Sequence, residues 1–294
     1  MSQWSDFVRE NFKKGDDVRD SGLTTPSDII RYDDISYGPE KNWQKLDLYR
    51  PLELEGKVLP VIVSIHGGGW VYGDKERYQY YCMSLAEHGF AVVNFTYRLA
   101  PEFKFPAGVE DTNSVINWIF ENASSYKLDS KHIFLVGDSA GAHMVGIYSN
   151  VCTNKDYAAT FPFKVRDGFK PTAVIMNCGA YRLTYNDDPK DMNTGLMNDL
   201  LQGGANAESM KPVQVADFMT PDFPPTFYMT CTGDFLKDQA LIMMEALLKN
   251  NIPHEFHYFG DKDHELGHVF HCNMKIPEAR IANRIECEYF KRFI

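Results

Sequence analysis

Short apolar segments alternate with long amphipathic segments along most of this 294-residue chain, and this alternation restricts the fold more than any other feature. The apolar segments are rich in Val, Ile, Phe and Tyr, as is typical of strands: 45–49, 60–65, 90–95, 132–136, 172–177, 226–231 and 254–259. The longer segments have helical periodicity: 75–88, 107–122, 140–150, 236–250 and 276–293. Apolar strands separated by helices form mostly parallel sheets with helices on both faces. With 33–37 pairing antiparallel to 45–49, we predict an α/β fold with a sheet of roughly eight strands.

Two stretches depart from the alternation. Residues 1–30 are polar with scattered aromatic side chains, and residues 182–222 have no clear period and contain Gly203 and Gly204. Stretches of this kind usually cover one end of a sheet rather than extend it. The chain is 44% hydrophobic, which is enough for one sizeable core. We therefore predict a single domain over 1–294, with a small cap contributed by about 1–30 and about 182–222.

The composition argues against several kinds of partner. The formal net charge is −10, and an acidic surface disfavours non-specific binding to nucleic acids or anionic membranes. No segment approaches the ~20 apolar residues of a membrane helix. The charged start has no apolar signal region, which predicts a cytoplasmic protein. The six cysteines have no metal-ligand spacing, so we expect free thiols and neither a metal nor a cofactor. The sequence leaves open whether the chain forms a homodimer.

A serine lies at a cramped corner in the motif GDSAG. Ser139 stands between Gly137 and Gly141, after the strand 132–136 and before the helix 140–150. A serine on such a tight strand-to-helix turn exposes its hydroxyl at the carboxyl end of the sheet, where α/β folds keep their sites. The positive end of the following helix favours negative charge at the same place. The alternative is a glycine-rich turn with an incidental serine.

A second glycine-rich motif, HGGGW, begins at His66 directly after a predicted strand. Three successive glycines leave the backbone free to direct its N–H groups outward. Acyl transfer from a serine creates a tetrahedral oxyanion, and each preorganised donor lowers the barrier by ~3 kcal/mol. We assign Gly68 and Gly69 as donors, together with the N–H of Ala140, and assign Gly67 to the turn. The sequence leaves open which pair of glycines points inward.

Three motifs in this order resemble one family. HGGGW, YRLAPEFKFPAGVED over 97–111 and GDSAG are together similar to the hormone-sensitive-lipase-like esterases of the α/β-hydrolase fold, from about Asp34 to the C-terminus. The resemblance implies an oxyanion hole built from the HGGG backbone and the residue after the serine. It also implies that 97–111 positions loops, and that an N-terminal segment and an insertion after the sixth strand form a cap. The two irregular stretches agree with such a cap.

An activated serine needs a base and a carboxylate that orients the base. In this fold the acid follows the serine along the chain, and the histidine follows the acid. Asp234 lies at the carboxyl end of the strand 226–231. The family pattern has an aspartate here, then a short hydrophobic pair and a second aspartate, which Asp238 matches. Asp234 is therefore assigned as the acid, and Asp238 as a residue that starts a helix or braces the loop. A purely structural N-cap role is the alternative for Asp234.

Three histidines after the last predicted strand could supply the base: His264, His268 and His271. The family usually has His-Gly-Phe in this loop. Here His268 is followed by Val269 and Phe270, so valine replaces the glycine and the loop is longer. We assign His268 as the base, with His264 and His271 as alternatives.

These residues predict a serine carboxylesterase that acts on short-chain, acetyl-type esters of small molecules or sugars through an acyl-enzyme. Ser139 would attack the ester, His268 would take its proton, and Asp234 would stabilise the imidazolium. Two other functions stay open: an amidase or formamidase with the same triad, and a non-catalytic small-molecule receptor. A triglyceride lipase is disfavoured because the sequence has no long apolar lid.

Overall fold

One sheet organises the computed structural model, which describes residues 2–188 and 190–294. The strands are Ile29–Ser36 (β1), Lys45–Pro51 (β2), Leu59–Ile65 (β3), Ala91–Thr96 (β4), Leu128–Asp138 (β5), Val174–Asn177 (β6), Thr226–Cys231 (β7) and His254–Phe259 (β8). Their order in space is β1-β2-β4-β3-β5-β6-β7-β8. Strand β2 runs antiparallel to β1 and β4, and all other pairs are parallel. The predicted mostly parallel sheet of eight strands is confirmed.

Helices cover both faces of this sheet. They are Gln3–Asp20 (α1), Lys75–Ala86 (α2), Ala107–Tyr126 (α3), Ala140–Thr153 (α4), Lys155–Ala158 (α5), Met192–Leu200 (α6), Gln239–Lys249 (α7) and Pro277–Lys291 (α8). Buried side chains of α3, α4 and α7 pack on one face, and those of α2 and α8 pack on the other. Strand side chains alternate accordingly, since Val61 and Val63 face the first group and Ile62 faces the second. Among the described residues, no helix has both the length and the apolar character needed to cross a bilayer.

Helix α4 is the most deeply buried helix, because every residue from Ala140 to Val151 is buried. A helix that is enclosed all round needs apolar or small side chains on every face. It begins directly after β5, at the edge where the carboxyl ends of the parallel strands lie side by side. Residues that follow β3, β5, β6, β7 and β8 therefore meet at this edge.

Most of the N-terminal stretch 1–30 forms the helix α1, which the sequence pattern did not indicate. The Ser2 side chain caps this helix by accepting a hydrogen bond from the Ser5 N–H. Only Ser5 and Val8 of α1 are buried and nine of its 18 residues are charged, so the helix is polar overall and does not stand out as an apolar segment. The stretch 182–222 likewise contains a helix, α6, which the Asp191 side chain caps.

Helices α1 and α6 pack against each other. The Asp199 carboxylate accepts hydrogen bonds from the Ser2 N–H, at 2.8 Å, and from the Ser5 hydroxyl. The Trp4 ring lies against Gly195, where an added Cβ would come within 2.2 Å of the ring. The missing side chain at Gly195 therefore permits the close approach of the two helices.

The segment 97–111 forms a buried ionic cluster. The Asp111 carboxylate is fully buried and accepts from the Arg98 N–H at 2.7 Å, from Arg98 Nε at 2.9 Å and from Gln44 Nε2 at 2.6 Å. Arg98 also donates to the Glu110 carboxylate at 2.7 Å. The cluster connects the loop after β4 with the start of α3 and with the turn before β2. This accounts for the structural role that the resemblance implies for the segment.

Replacing Asp111 by Ala should lower the free energy of unfolding by about 3–5 kcal/mol, because Arg98 and Gln44 lose their shared buried acceptor. Glu110→Ala is the matched control: its carboxylate binds the same guanidinium but its side chain is 40% exposed, so the loss should stay below about 1 kcal/mol. Urea denaturation of both variants measures the difference. Equal losses would contradict the importance of the buried cluster.

Candidate active site

Ser139 occupies a strained turn between β5 and α4. Its φ of 52° and ψ of −118° are rare for a residue with a side chain, and such a conformation costs roughly 1–3 kcal/mol. Close packing explains the glycines: a Cβ at Gly141 would lie 2.0 Å from the Ile65 carbonyl oxygen, and one at Gly137 would lie 2.6 Å from the Gly141 backbone. The Ser139 N–H donates to the Asn177 carbonyl at 2.9 Å. The turn is thereby fixed between β3 and β6.

The HGGGW loop presents free N–H groups. Gly68 has a φ of 111°, and a Cβ there would lie 2.1 Å from the Tyr72 carbonyl oxygen, so only glycine fits without a shift of the loop. The Gly67 N–H is already used, because it donates to the Tyr78 hydroxyl at 2.9 Å. Within the part of the chain that the structure describes, the N–H groups of Gly68 and Gly69 have no acceptor.

Two of the three predicted donors share a cavity wall with the serine. Gly69, Ala140 and Ser139 all line this cavity, which we call the Ser139 cavity. The Ala140 N–H belongs to the first residue of α4 and has no partner within the helix. Gly68 is not part of the lining but is the residue before Gly69. The geometry therefore brings Gly69 and Ala140 to the serine more directly than Gly68.

The histidine and tryptophan of the same motif anchor the loop. The buried ring of His66 stacks on Tyr97 with 4.0 Å between ring centroids. Trp70 Nε1 donates to His143 Nδ1 at 3.2 Å, and His143 Nε2 in turn donates to the Val213 carbonyl at 2.8 Å. Burial lowers the pKa of His66 and of His143 to about 4, so both rings are neutral at pH 7. No sequence pattern indicated the contact between Trp70 and His143.

Asp234 and His268 form a close pair at the ends of β7 and β8. His268 Nδ1 lies 2.6 Å from Asp234 Oδ1. The carboxylate is almost fully buried and also accepts from the Thr230 hydroxyl at 2.6 Å and from the Leu236 N–H at 2.8 Å. Burial by itself would raise the pKa of Asp234, but the hydrogen bond and charge of His268, with help from Thr230 and Leu236, outweigh it and lower this pKa. Asp234 is thus held ionised against the imidazole.

The loop that carries His268 is attached to the end of β7. Gly233 donates to the Leu266 carbonyl at 2.9 Å and pairs with Gly267 as an isolated bridge. The Phe235 ring lies 4.2 Å from the His268 ring between centroids, and Phe235 also lines the Ser139 cavity. Phe235 thus connects the imidazole with the cavity, whereas His268 is not itself among the described residues that line the cavity. In the described ranges, no hydrogen bond joins the Ser139 hydroxyl to His268.

The alternative residues have other partners. His264 is exposed and pairs with Glu278 at 3.0 Å. His271 is fully buried, and burial lowers its pKa to about 3. Asp238 directly precedes α7, as expected of a residue that starts a helix, although its side chain makes no capping hydrogen bond. Of the three candidate histidines, His268 is the one that the structure pairs with Asp234.

The Ser139 cavity is small and mostly apolar. Its volume is about 90 Å³, less than the ~150 Å³ in which benzene can be enclosed. Helix α1 contributes Val8 and Phe12 to its wall. Helix α6 contributes Met192, Leu196 and Met197.

A buried polar layer lies beneath the serine, which the sequence reasoning missed. Asp138 accepts from the Tyr78 hydroxyl at 2.7 Å, and Glu286 of α8 accepts from Tyr81 and from Asn177, both at 2.7 Å. Burial raises the pKa of Asp138 to about 6 and that of Glu286 to about 8, despite these hydrogen bonds. Tyr81 and Glu286 are 205 positions apart, so no local pattern could reveal the contact.

Two clusters bring potential metal ligands within 4.8 Å of one another: Cys178, Asp234 and His268, and separately Asp138, His271 and Cys272. Each combines residues from distant parts of the chain, which motif spacing cannot detect. In the first cluster, the 2.6 Å hydrogen bond between Asp234 and His268 leaves no room for an ion between the two atoms. The geometry therefore favours a hydrogen-bonded aspartate–histidine pair over a metal site.

Comparison with known proteins identifies the family. The family profile described as BD-FAE matches residues 46–241, which include both glycine-rich motifs and Asp234. The chain belongs to the BD-FAE family. This family is part of the hormone-sensitive-lipase-like group of α/β-hydrolase esterases, so the resemblance that the sequence motifs indicated is confirmed.

Individual relatives of this BD-FAE protein include a named esterase and a plant enzyme. It is 29% identical over 253 residues to the versiconal hemiacetal acetate esterase of Dothistroma septosporum, an alignment that covers 79% of this chain and 74% of that protein. It is 28% identical over 260 residues to tuliposide A-converting enzyme 1 of Tulipa gesneriana, covering 80% of this chain but only 63% of the plant protein.

The fold has close counterparts among solved structures. Inhibited esterase B from Lactobacillus rhamnosis superposes with a TM-score of 0.88 at 23% identity, over 97% of this chain and 93% of that one. The α/β-hydrolase fold is therefore confirmed. The named relatives and the family together establish that the BD-FAE protein is a carboxylic ester hydrolase.

The buried Asp138 should make stability depend on pH. Its folded-state pKa of about 6 exceeds the value of about 3.9 for an unfolded aspartate. The folded protein therefore binds this proton more tightly, and stability falls as the pH rises from about 4 to about 6. Asp138→Asn removes this effect, so the variant should gain about 3 kcal/mol relative to the wild type between pH 4 and pH 8.

Urea denaturation at the two pH values measures this gain. Asp156→Asn, at an exposed position of α5, is the control and should follow the wild type at both pH values. A pH dependence of Asp138→Asn that matches the wild type would rule out a buried, destabilising Asp138 carboxylate.

Proposed function

We propose that the protein is a serine carboxylesterase in which Ser139, His268 and Asp234 form the catalytic triad. The observation that carries this proposal is the 2.6 Å contact between Asp234 and His268, whose imidazole packs against Phe235 in the wall of the cavity that Ser139 lines. In an esterase family, a strained serine beside a histidine–aspartate pair matches the requirements of acyl transfer. Hydrogen bonds between nucleophile and base often tighten only when substrate is bound, so their absence from a ligand-free arrangement does not argue against the triad.

The reaction would proceed in two halves. The Ser139 oxygen attacks the ester carbonyl carbon while His268 takes the hydroxyl proton, and the Asp234 carboxylate stabilises the resulting imidazolium. Collapse of the tetrahedral intermediate releases the alcohol, which receives its proton from His268, and leaves an acyl-Ser139 ester. A water molecule then gives a proton to His268 and attacks the acyl group. The acid departs and Ser139 regains its proton.

The oxyanion would be held by backbone donors. Gly69 and Ala140 line the same cavity as Ser139, and the N–H of Gly69 has no described acceptor. Gly68 would complete the hole if the loop turns slightly on substrate binding. Preorganised donors of this kind cost no reorganisation during the reaction, and each is worth ~3 kcal/mol.

The substrate would be a small ester with a short acyl group, such as acetyl. The small volume of the Ser139 cavity supports this, as does the acetate ester in the name of the Dothistroma septosporum relative. We assign α1 and the region 182–222, which contains α6, to a cap over the serine, because Phe12 and Leu196 line the Ser139 cavity. The substrate would therefore enter between the cap and the edge of the sheet.

The triad predicts a specific pattern of losses. Ser139→Ala should abolish labelling by a fluorophosphonate and lower kcat for p-nitrophenyl acetate by at least ~10³-fold, and Asp234→Asn should lower kcat by ~10⁴-fold because the wrong imidazole tautomer is favoured. Asp238→Asn is the matched control four residues away and should stay within about twofold of the wild type. Steady-state kinetics measures kcat for all three variants, and circular dichroism spectra check that each variant is folded. Near-normal activity of Asp234→Asn would disprove the assigned acid.

The cavity predicts a preference for short acyl chains. Activity on p-nitrophenyl esters should fall steeply beyond butanoate, because longer chains do not fit beside Leu196 and Met197. Leu196→Ala should shift the optimum toward longer chains by enlarging the cavity, whereas Leu241→Ala, at a position that is 69% exposed, should leave the profile unchanged. Values of kcat/KM from acetate to octanoate measure the shift. Octanoate turnover equal to that of acetate in the wild type would contradict the short-chain preference.

A further inference from the structure

Two residues near the Asp234–His268 pair adopt left-handed backbone conformations without being glycine. Val269 directly follows His268 and has a φ of 54°, and Cys178 directly follows β6 and has a φ of 46°. This conformation is a genuine outlier for a β-branched residue such as valine, and it costs roughly 1–3 kcal/mol. Contacts around the loop must therefore hold Val269 in place.

Two buried thiols supply contacts on both sides of His268. Cys231, the last residue of β7, donates from Sγ to the Gly267 carbonyl at 3.1 Å. The Cys178 sulfur lies beside the Val269 N–H and the Cys231 thiol. We call Cys178 and Cys231 the thiol pair. The pair thus contacts the residue before His268 and the residue after it.

The thiol pair also lies close to the reacting groups. The Cys178 sulfur is within 4.8 Å of a carboxylate oxygen of Asp234 and of a ring nitrogen of His268. The neighbouring Cys231 thiol, together with burial, raises the pKa of Cys178 well above its usual range. Cys178 is therefore a neutral thiol at neutral pH and not a second nucleophile, since the thiolate is the reactive form.

We propose that the thiol pair is a positioning element, which holds the loop of His268 in the left-handed conformation where the imidazole meets Asp234. This inference rests on the proposed function, because it takes His268 as the base. The loop is longer than is usual in the family and carries Val269 where glycine would be free of strain, so it needs an added restraint. A misplacement of 1 Å at a catalytic group can cost ~10²-fold in rate.

The first test compares three cysteine variants in the full chain. Cys178→Ala should lower kcat for p-nitrophenyl acetate about tenfold with KM within about twofold, because binding is unchanged while the base is misplaced. The acidic limb of its kcat/KM profile should move to lower pH, since the imidazolium loses stabilisation by Asp234. Cys178→Ser keeps an acceptor for the Val269 N–H and should recover most of the loss.

Cys287→Ala is the matched control, because Cys287 is an equally buried thiol on α8 that lies outside the loop. It should lower Tm while leaving kcat and the pH profile unchanged. If Cys178→Ala lowers Tm in the same way but keeps kcat and the pH profile within about twofold of the wild type, the thiol pair has only a packing role and the proposal is overturned.

A second test uses the strain at Val269. Glycine adopts the left-handed conformation without cost, so Val269→Gly in the Cys178→Ala background should raise kcat at least about threefold above that of Cys178→Ala alone. A double variant as slow as Cys178→Ala would overturn the proposed mechanism of restraint. The variant His268→Asn separates the two proposals. If His268→Asn is active, the triad itself is refuted. If His268→Asn is inactive and Cys178→Ala is unaffected, only the role of the thiols is refuted.

Discussion

The close contact between the turn at Ser139 and strand β3 is the constraint on which the rest of the site depends. Gly141 leaves no space for a Cβ against the Ile65 carbonyl, so the start of α4 is pressed onto the neighbouring strand. Because α4 is buried over nearly its whole length, the turn cannot relax without disturbing the core. The strain at Ser139 is therefore borne by the packing of the entire domain rather than by local hydrogen bonds.

The polar groups beneath this turn lower the stability of the folded protein, whereas the packing around the turn raises it. Asp138 and Glu286 are buried carboxyl groups, and burial disfavours their ionised forms. Their tyrosine partners both come from α2, and Asn177 connects Glu286 to the backbone that receives the Ser139 N–H. Helices α2 and α8 are thereby joined to the turn by directional bonds. The two buried carboxyl groups thus cost folding free energy, and their hydrogen bonds define how the elements around the serine are arranged.

Much of the fold was predictable because its signals are local. Apolar strands, helical periodicity and the glycines before Trp70 and around Ser139 are each visible in short stretches of sequence. The same holds for Asp234, which lies at the carboxyl end of a strong strand. The helix α1 was not evident because it buries only two side chains and is polar overall, so it lacks the apolar content of the other helices. The proposed restraint on His268 could not be found from the sequence, because Cys178 follows β6 and Cys231 ends β7, and only the folded chain brings them to the same loop.

The wall of the Ser139 cavity combines two parts of the structure that differ in how well they tolerate amino-acid substitutions. Ser139 and Ala140 belong to the rigid centre, where nearly every substitution meets packed neighbours. Met192, Leu196 and Met197 belong to a nine-residue helix outside the sheet, and two of them are methionines, whose flexible side chains adapt to new neighbours. Mutations in α6 can therefore alter which esters fit while the folding of the sheet stays intact. Evolution of new selectivity in this protein should accordingly be concentrated in a few positions of one short helix.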